Sequence, residues 1–227
     1  MAPSTYSESV VLKLAQTAYR QGDAAFALVP DTCALLVIDM QDEFVKPGWT
    51  PYWVPAATRQ VPAVSRLIQD ARALDIPVIF TVFSRTHGYL DRPASGSVMP
   101  NRYPELGVDQ SAWFVEGNVW QALAPLPGDL VLHKPSYGAF YDTPLETILR
   151  NLARDTVIIC GTLTNYCCGT TARQAYERGF KVVVGSDVTA TDDSDMQEAE
   201  LMVLRKGFAR VLSAAEIVRQ LQAGTDT

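Results

Sequence analysis

The chain contains 227 residues, 48% of them hydrophobic, and its formal net charge at pH 7 is −6. This length and apolar content can bury a full core, which favours a single domain over residues 1–227. Because the charge is negative and no Lys/Arg cluster occurs, we exclude nucleic acids and anionic membrane surfaces as expected partners.

The N-terminus and the cysteines indicate a cellular compartment. The opening sequence MAPSTYSESV lacks the basic stretch and apolar core of an export signal, and no apolar run reaches the roughly 18 residues of a membrane span. The four cysteines, two of them adjacent, do not have the pattern of a disulfide framework. We therefore expect a cytoplasmic protein with reduced thiols.

Hydrophobic periodicity divides the chain into helices and strands. Apolar residues at helical spacing predict a helix over residues 8–21, within an N-terminal helical extension (1–29) suited to packing or subunit contact. Apolar runs predict buried strands at 33–38, 76–83, 130–132 and 157–160, and two more strands are predicted at 180–184 and 209–212. Further helices are predicted at 55–74, 143–152 (capped by Asp142 or Thr143), from the paired cysteines to 178, 194–206 and 214–223.

This alternation of strands and helices predicts the fold class. Parallel strands joined by right-handed helical crossovers place helices on both faces of a sheet. We expect an α/β protein with a Rossmann-like three-layer α/β/α architecture and a six-stranded parallel sheet.

Two irregular segments stand between the predicted elements. Residues 46–55 are rich in proline and tryptophan and could wall a pocket. Residues 84–116 are too long for a simple connection, which indicates a lid or a subunit contact. The arginines of this second segment either bind a substrate carboxylate or form a solvated face; they are Arg85, Arg92 and Arg102.

The stretch VIICGTLTNYCCGTTAR, residues 157–173, holds the strongest chemical signal. A buried strand meets Gly161, and a helix then begins near Cys167 and Cys168. A helix start draws a thiol toward thiolate and supplies N–H groups to an oxyanion, although a buried cysteine can equally be a packing residue. Neighbouring helical side chains point about 100° apart, so one thiol at most faces a site, and we favour Cys167, the nearer to the turn.

Two charged residues also follow predicted strands. Asp39 ends the strand at 33–38 and Lys134 follows the one at 130–132. At the carboxyl edge of a parallel sheet they can converge with Cys167, so that Asp39 takes the thiol proton and Lys134 lowers the thiol pKa. Read alone, Asp39 could be a helix cap and Lys134 a surface lysine.

Three segments carry a family resemblance: LLVIDMQDEF around Asp39, KPSYGAF after His133, and GTLTNYCCGTTAR around Cys167. Together they resemble the signature segments of the isochorismatase-like cysteine hydrolases, which include nicotinamidases and N-carbamoylsarcosine, ureidoacrylate and biuret amidohydrolases. The similarity runs from about residue 30 to 213.

The resemblance implies roles for individual residues. Cys167 would attack as nucleophile, Asp39 would act as base and then acid, and Lys134 would hold both electrostatically. The Thr162–Leu163 peptide would be cis, and the amides of Leu163 and Cys167 would form the oxyanion hole. Phe44 would line the pocket. We also assign Tyr137 and Asn165, which stand in the same segments, to substrate binding.

The implied reaction is hydrolysis of a C–N bond in a small linear amide, ureido or carbamoyl compound, with a thioester intermediate and release of ammonia. The two histidines are too few for the histidine-rich metal site of nicotinamidases, so we expect neither metal nor cofactor. Family members also suggest a homo-oligomer, a dimer or a tetramer. The alternatives are a vinyl-ether hydrolase and a redox sensor that uses Cys167 and Cys168.

Overall fold

A single parallel sheet organises the chain in the computed structural model, which describes residues 6–22, 24–91 and 112–225. Its strands are β1 (Cys33–Ile38), β2 (Val78–Phe83), β3 (Leu130–Lys134), β4 (Thr156–Thr162), β5 (Lys181–Ala190) and β6 (Arg210–Leu212). They run in the order β3-β2-β1-β4-β5-β6, and every neighbouring pair is parallel. The predicted six-stranded α/β fold is confirmed. The strand order reverses between β1 and β4, where open α/β sheets form a crevice.

Helices cover both faces of this sheet. They are α1 (Glu8–Gln21), α2 (Asp42–Val45), α3 (Pro55–Ala73), α4 (Leu145–Asn151), α5 (Gly169–Glu177), α6 (Ser194–Gly207) and α7 (Ala214–Ala223). Leu35 and Val37 of β1 face the core that contains α3 and α7. Leu36 and Ile38 face the core that contains α4, α5 and α6. This alternation is what period-two side chains require of a strand buried on both faces, and it produces the three layers.

The N-terminal helix lies outside these two cores. No residue of α1 is buried, and the helix meets the end of α6, where the Arg205 guanidinium donates to the Tyr19 carbonyl oxygen and the Lys206 ammonium lies 4.0 Å from the Tyr19 ring centroid. Within the described ranges, no helix combines the length and apolarity needed to cross a membrane.

Two predicted boundaries need correction, the end of β5 and the start of α4. The strand predicted to end at 184 continues to Ala190, because a bulge lets β5 advance five residues while β4 advances two, from Ile159 to Gly161. Glycine, serine and aspartate at 185–187 therefore mark a bulge and not a turn. The predicted cap Asp142 is wrong: its φ is +51°, and α4 begins later, where the Thr143 hydroxyl accepts from the Leu145 N–H.

Candidate active site

Asp39 stands directly after β1, at the carboxyl edge of the sheet. Its side chain is fully buried, and its φ of +47° lies in the left-handed region, which aspartate tolerates better than most residues. The Asp39 N–H donates to the Thr81 carbonyl oxygen at 3.1 Å, and the Thr81 hydroxyl donates to Oδ1 of Asp39 at 2.8 Å. β2 therefore orients the carboxylate, although it contributes no residue to the predicted triad.

Lys134, the last residue of β3, reaches this carboxylate from two strands away. Its Nζ lies 2.7 Å from Oδ2 of Asp39 and donates to the Ser136 carbonyl oxygen at 2.8 Å, while the Phe83 ring centroid is 5.3 Å away. Both charged side chains have no exposed surface. Burial alone would lower the pKa of Lys134, but Asp39 and Cys167 outweigh it and raise the pKa above its usual value. Lys134 is therefore held in its charged form.

A close approach of β4 to β1 brings the cysteines to the same place. A Cβ on Gly161, whose φ is +120°, would stand 2.0 Å from the Ile38 carbonyl oxygen, so only glycine fits. The Thr162–Leu163 peptide that follows is cis, and the Thr162 hydroxyl donates to the Ala190 carbonyl oxygen. The chain then makes a π-helical turn over Thr164–Cys168, which we call the cysteine turn, before α5 begins.

The Cys167 thiol completes the cluster. It is 3% exposed, and the Asp39 carboxylate and the Lys134 ammonium lie close enough for both to act on its pKa. Burial and the Asp39 charge raise the pKa of Cys167, while Lys134 opposes them without reversing the direction. The expectation that the helix start and the lysine draw this group toward thiolate is therefore wrong for the resting site. Its surroundings therefore favour the protonated thiol.

A second buried network, which the sequence reading missed, stands behind the ion pair. The Gln41 side chain accepts from the Phe83 N–H at 2.7 Å and donates to the Phe83 carbonyl oxygen at 3.0 Å and to Glu43 at 2.7 Å. The Glu43 carboxylate in turn accepts from the Phe114 N–H at 2.8 Å. The signal was present in MQDEF, where three consecutive polar residues stand between two apolar ones just beyond a buried strand.

The residues predicted to bind substrate surround the cluster without all facing it. The buried Phe44 ring packs on Phe114 with centroids 5.4 Å apart. The Tyr137 ring packs on Tyr166 of the cysteine turn, with centroids 5.3 Å apart. The Asn165 side-chain carbonyl accepts from the Thr191 hydroxyl at 2.6 Å, which ties the cysteine turn to the end of β5.

Part of the predicted lid contributes to the site. The Arg85 guanidinium donates to the Trp113 carbonyl oxygen, and the Arg85 N–H donates to the Phe114 carbonyl oxygen, so the two ends of the segment are joined. Arg92 and Arg102 lie outside the described residues.

Metal-binding groups do not gather in the part of the chain that the structure describes: no three His, Cys, Asp or Glu side chains there are placed to hold an ion. The two imidazoles have other contacts, since His133 Nδ1 lies 3.1 Å from the Ser84 hydroxyl and His87 Nδ1 lies 3.1 Å from Asp91. The four cysteines are free and buried.

Comparison with known proteins shows which family this chain resembles. The Isochorismatase domain family matches residues 33–216. Nicotinamidase 3 of Arabidopsis thaliana is 33% identical over 83% of this chain and 88% of its own length, and the ureidoacrylate amidohydrolase RutB of Methylorubrum extorquens is 30% identical over 82% and 81%. The crystal structure of a cysteine hydrolase from Pseudomonas syringae superposes with a TM-score of 0.76 at 30% identity, covering 88% of this chain and 97% of that one. The chain belongs to the isochorismatase family.

Proposed function

We propose that this chain is a cysteine amidohydrolase in which Cys167 is the nucleophile and Asp39 the proton carrier. As an enzyme it is a hydrolase of carbon–nitrogen bonds. The observation that supports the triad most strongly is the fully buried ion pair, 2.7 Å between Lys134 Nζ and Asp39 Oδ2, whose charges both act on the buried Cys167 thiol. Relatives named as a nicotinamidase and a ureidoacrylate amidohydrolase support the reaction class.

The acylation half of the reaction follows from the protonation states. The Cys167 Sγ–H proton passes to the Asp39 carboxylate as Sγ bonds to the substrate carbonyl carbon. The amides of Leu163 and Cys167 stabilise the resulting oxyanion. The C–N bond then breaks as Asp39 returns the proton to the nitrogen, so that ammonia leaves and a thioester remains on Cys167.

The deacylation half restores the resting site. Water adds to the thioester carbonyl carbon and gives a proton to Asp39. The C–S bond then breaks, the acid product leaves, and Cys167 recovers the proton. Lys134 stays charged throughout, because an adjacent carboxylate favours the ammonium form. Its role is to hold Asp39 in place and to balance the negative charge that moves between Asp39 and the oxyanion.

Linear ureido or carbamoyl compounds are the substrate class that we propose. The likeness to a ureidoacrylate amidohydrolase supports it, as does the small number of histidines, two in the whole chain. The relative named as a nicotinamidase makes nicotinamide the necessary competing substrate in any test.

Ammonia release from ureidoacrylate, biuret, an N-carbamoyl amino acid, nicotinamide and maleamate tests the proposal. We expect the wild type to hydrolyse a ureido or carbamoyl compound and Cys167→Ala to lose at least about a thousandfold in rate, as enzymes do without their nucleophile. Cys168→Ala is the matched control, because Cys168 is the sequence neighbour and is also buried. Its activity should stay near the wild-type value.

The other results contradict parts of the proposal. Equal ammonia release by Cys167→Ala and the wild type would refute Cys167 as the nucleophile. Turnover of nicotinamide alone would refute the substrate class while leaving the triad intact. Activity that disappears in both cysteine variants would show that the Cys168 control disturbs the fold.

A further inference from the structure

Thr81 of β2 contacts the Asp39 carboxylate and lies outside the three family signature segments. We propose that Thr81 is a positioning residue, whose hydroxyl holds the Asp39 carboxylate in the orientation that faces Lys134 and Cys167. The inference rests on the proposed function, because it names what aims the proposed proton carrier. It goes beyond that function because Thr81 belongs to β2, which provides no member of the triad.

The hydrogen bonds of Thr81 determine where its hydroxyl proton goes. Oγ1 lies 3.3 Å from the Asp39 N–H, which donates to it, and 2.8 Å from Oδ1 of Asp39. The Asp39 N–H is shared between the Thr81 carbonyl oxygen, at 3.1 Å, and Oγ1. The hydroxyl hydrogen of Thr81 is directed at the Asp39 side chain, because an ionised carboxylate is an acceptor only. Oδ1 is thereby occupied, and Oδ2 is turned toward the Lys134 ammonium at 2.7 Å.

The surroundings make this contact rigid. Thr81 is 1% exposed, and the β1–β2 register pairs it with Ile38, the residue before Asp39. A β-branched side chain in a strand has few χ1 choices, so the hydroxyl direction follows from the strand pairing. Thr81 is also the only polar residue in the buried β2 sequence VIFTVF. A buried hydroxyl among apolar neighbours needs a partner, and its partner here is the carboxylate.

Substitutions of Thr81 can distinguish a role in positioning Asp39 from a role in core packing. Thr81→Val keeps the volume and branching but removes the hydroxyl, whereas Thr81→Ser keeps the hydroxyl. Thr156→Val is the matched control: Thr156 is equally buried, and its hydroxyl donates to the Asp155 carboxylate at 2.6 Å, but it begins β4 at the opposite edge of the sheet. Both valine variants lose a threonine–aspartate hydrogen bond, and only one of these bonds involves the site.

Two measurements are made on each variant: kcat/KM for ammonia release, and the rate at which iodoacetamide alkylates Cys167, followed by intact mass across pH. We expect Thr81→Val to lower kcat/KM about tenfold or more, the range of one hydrogen bond to a charged group. The acid limb of both pH profiles should move to higher pH, because a carboxylate that loses a donor is protonated more readily. Thr81→Ser and Thr156→Val should keep the wild-type limb.

The pH profile of Cys167 alkylation does not require turnover. It therefore tests the positioning role of Thr81 even if the proposed amidohydrolase activity is absent. If the wild type releases no ammonia, the proposed function fails, while a shifted alkylation limb in Thr81→Val still supports the positioning role. An unshifted limb in Thr81→Val, with or without turnover, would overturn the inference. An equal shift in Thr156→Val would overturn it too. Should Thr81→Val fail to fold, Thr81→Ala removes the same hydroxyl and is judged by the same criterion.

Discussion

Removing Lys134 should destabilise the protein far more than removing a surface lysine. Lys134→Met keeps most of the apolar volume but leaves the Asp39 carboxylate buried without its counter-charge, since neither side chain has exposed surface. Breaking a buried ion pair in this way costs about 3–5 kcal/mol of unfolding free energy. For a chain of this size that corresponds to a fall in Tm of roughly 6–20 °C, at about 2–4 °C per kcal/mol.

Urea denaturation followed by far-UV circular dichroism measures this cost in Lys134→Met, Asp39→Asn and the double variant. Each single change should lower the unfolding free energy, and the double variant should lose less than the sum, because the second change removes the charge that the first left unpaired. The matched control is Lys181→Met. Lys181 lies 2.9 Å from Asp155, but both side chains are about half exposed, so its loss should cost under about 1 kcal/mol.

Two results would refute this reasoning. The first is a Lys134→Met variant that unfolds within about 1 kcal/mol of the wild type, which is the behaviour of an exposed pair. The second is strict additivity in the double variant, which would mean that the two charges do not depend on each other.

Three further predictions concern stability. Burial raises the pKa of Cys33 from 9.0 to about 11, so the folded state holds the thiol proton more tightly than the unfolded state. This thiol therefore stabilises the fold by up to about 3 kcal/mol below pH 9.0, and the stabilisation is lost as pH rises toward 11. In urea titrations, Cys33→Ala should reduce the fall of unfolding free energy over this alkaline range. Gly161→Ala should abolish folding or activity. Gly179, with φ +78°, has nothing within 4 Å of an added Cβ, so Gly179→Ala should cost only about 1–2 kcal/mol. Equal thermal stability of the two variants would contradict the close approach of Gly161 to the Ile38 carbonyl oxygen. Ser213→Ala removes the capping box of α7 and should cost about 1 kcal/mol in thermal denaturation, whereas no change would show that the cap is dispensable.

The triad residues could be located from sequence because each follows a continuous apolar strand. Asp39, Lys134 and Cys167 need only the rule that parallel strands end at a common edge. The roles of Thr81 and Gln41 could not be inferred in the same way, because they depend on which strand pairs with β1 and in which register. That pairing is a tertiary property, and the local composition of β2 does not contain it.

The protonation state of the Cys167 thiol also could not be inferred from the sequence. A helix start and a nearby lysine both favour thiolate, and the sequence shows both of them. It does not show how completely Cys167 is buried or how close the Asp39 carboxylate lies, and these two effects reverse the direction of the pKa shift of Cys167. Likewise, residues 185–187 are typical of a turn, and only the long pairing of β5 with β4 makes them a bulge.

Intact-mass spectrometry of the enzyme quenched in acid during turnover detects the proposed thioester itself. We expect a covalent adduct with the mass of the substrate acyl group, present in the wild type and in Cys168→Ala and absent from Cys167→Ala. Digestion of the Cys168→Ala adduct should place the acyl group on Cys167, because no other cysteine remains in the cysteine turn. Turnover without any adduct at early times, or an adduct that persists in Cys167→Ala, would contradict the claim that Cys167 forms the thioester.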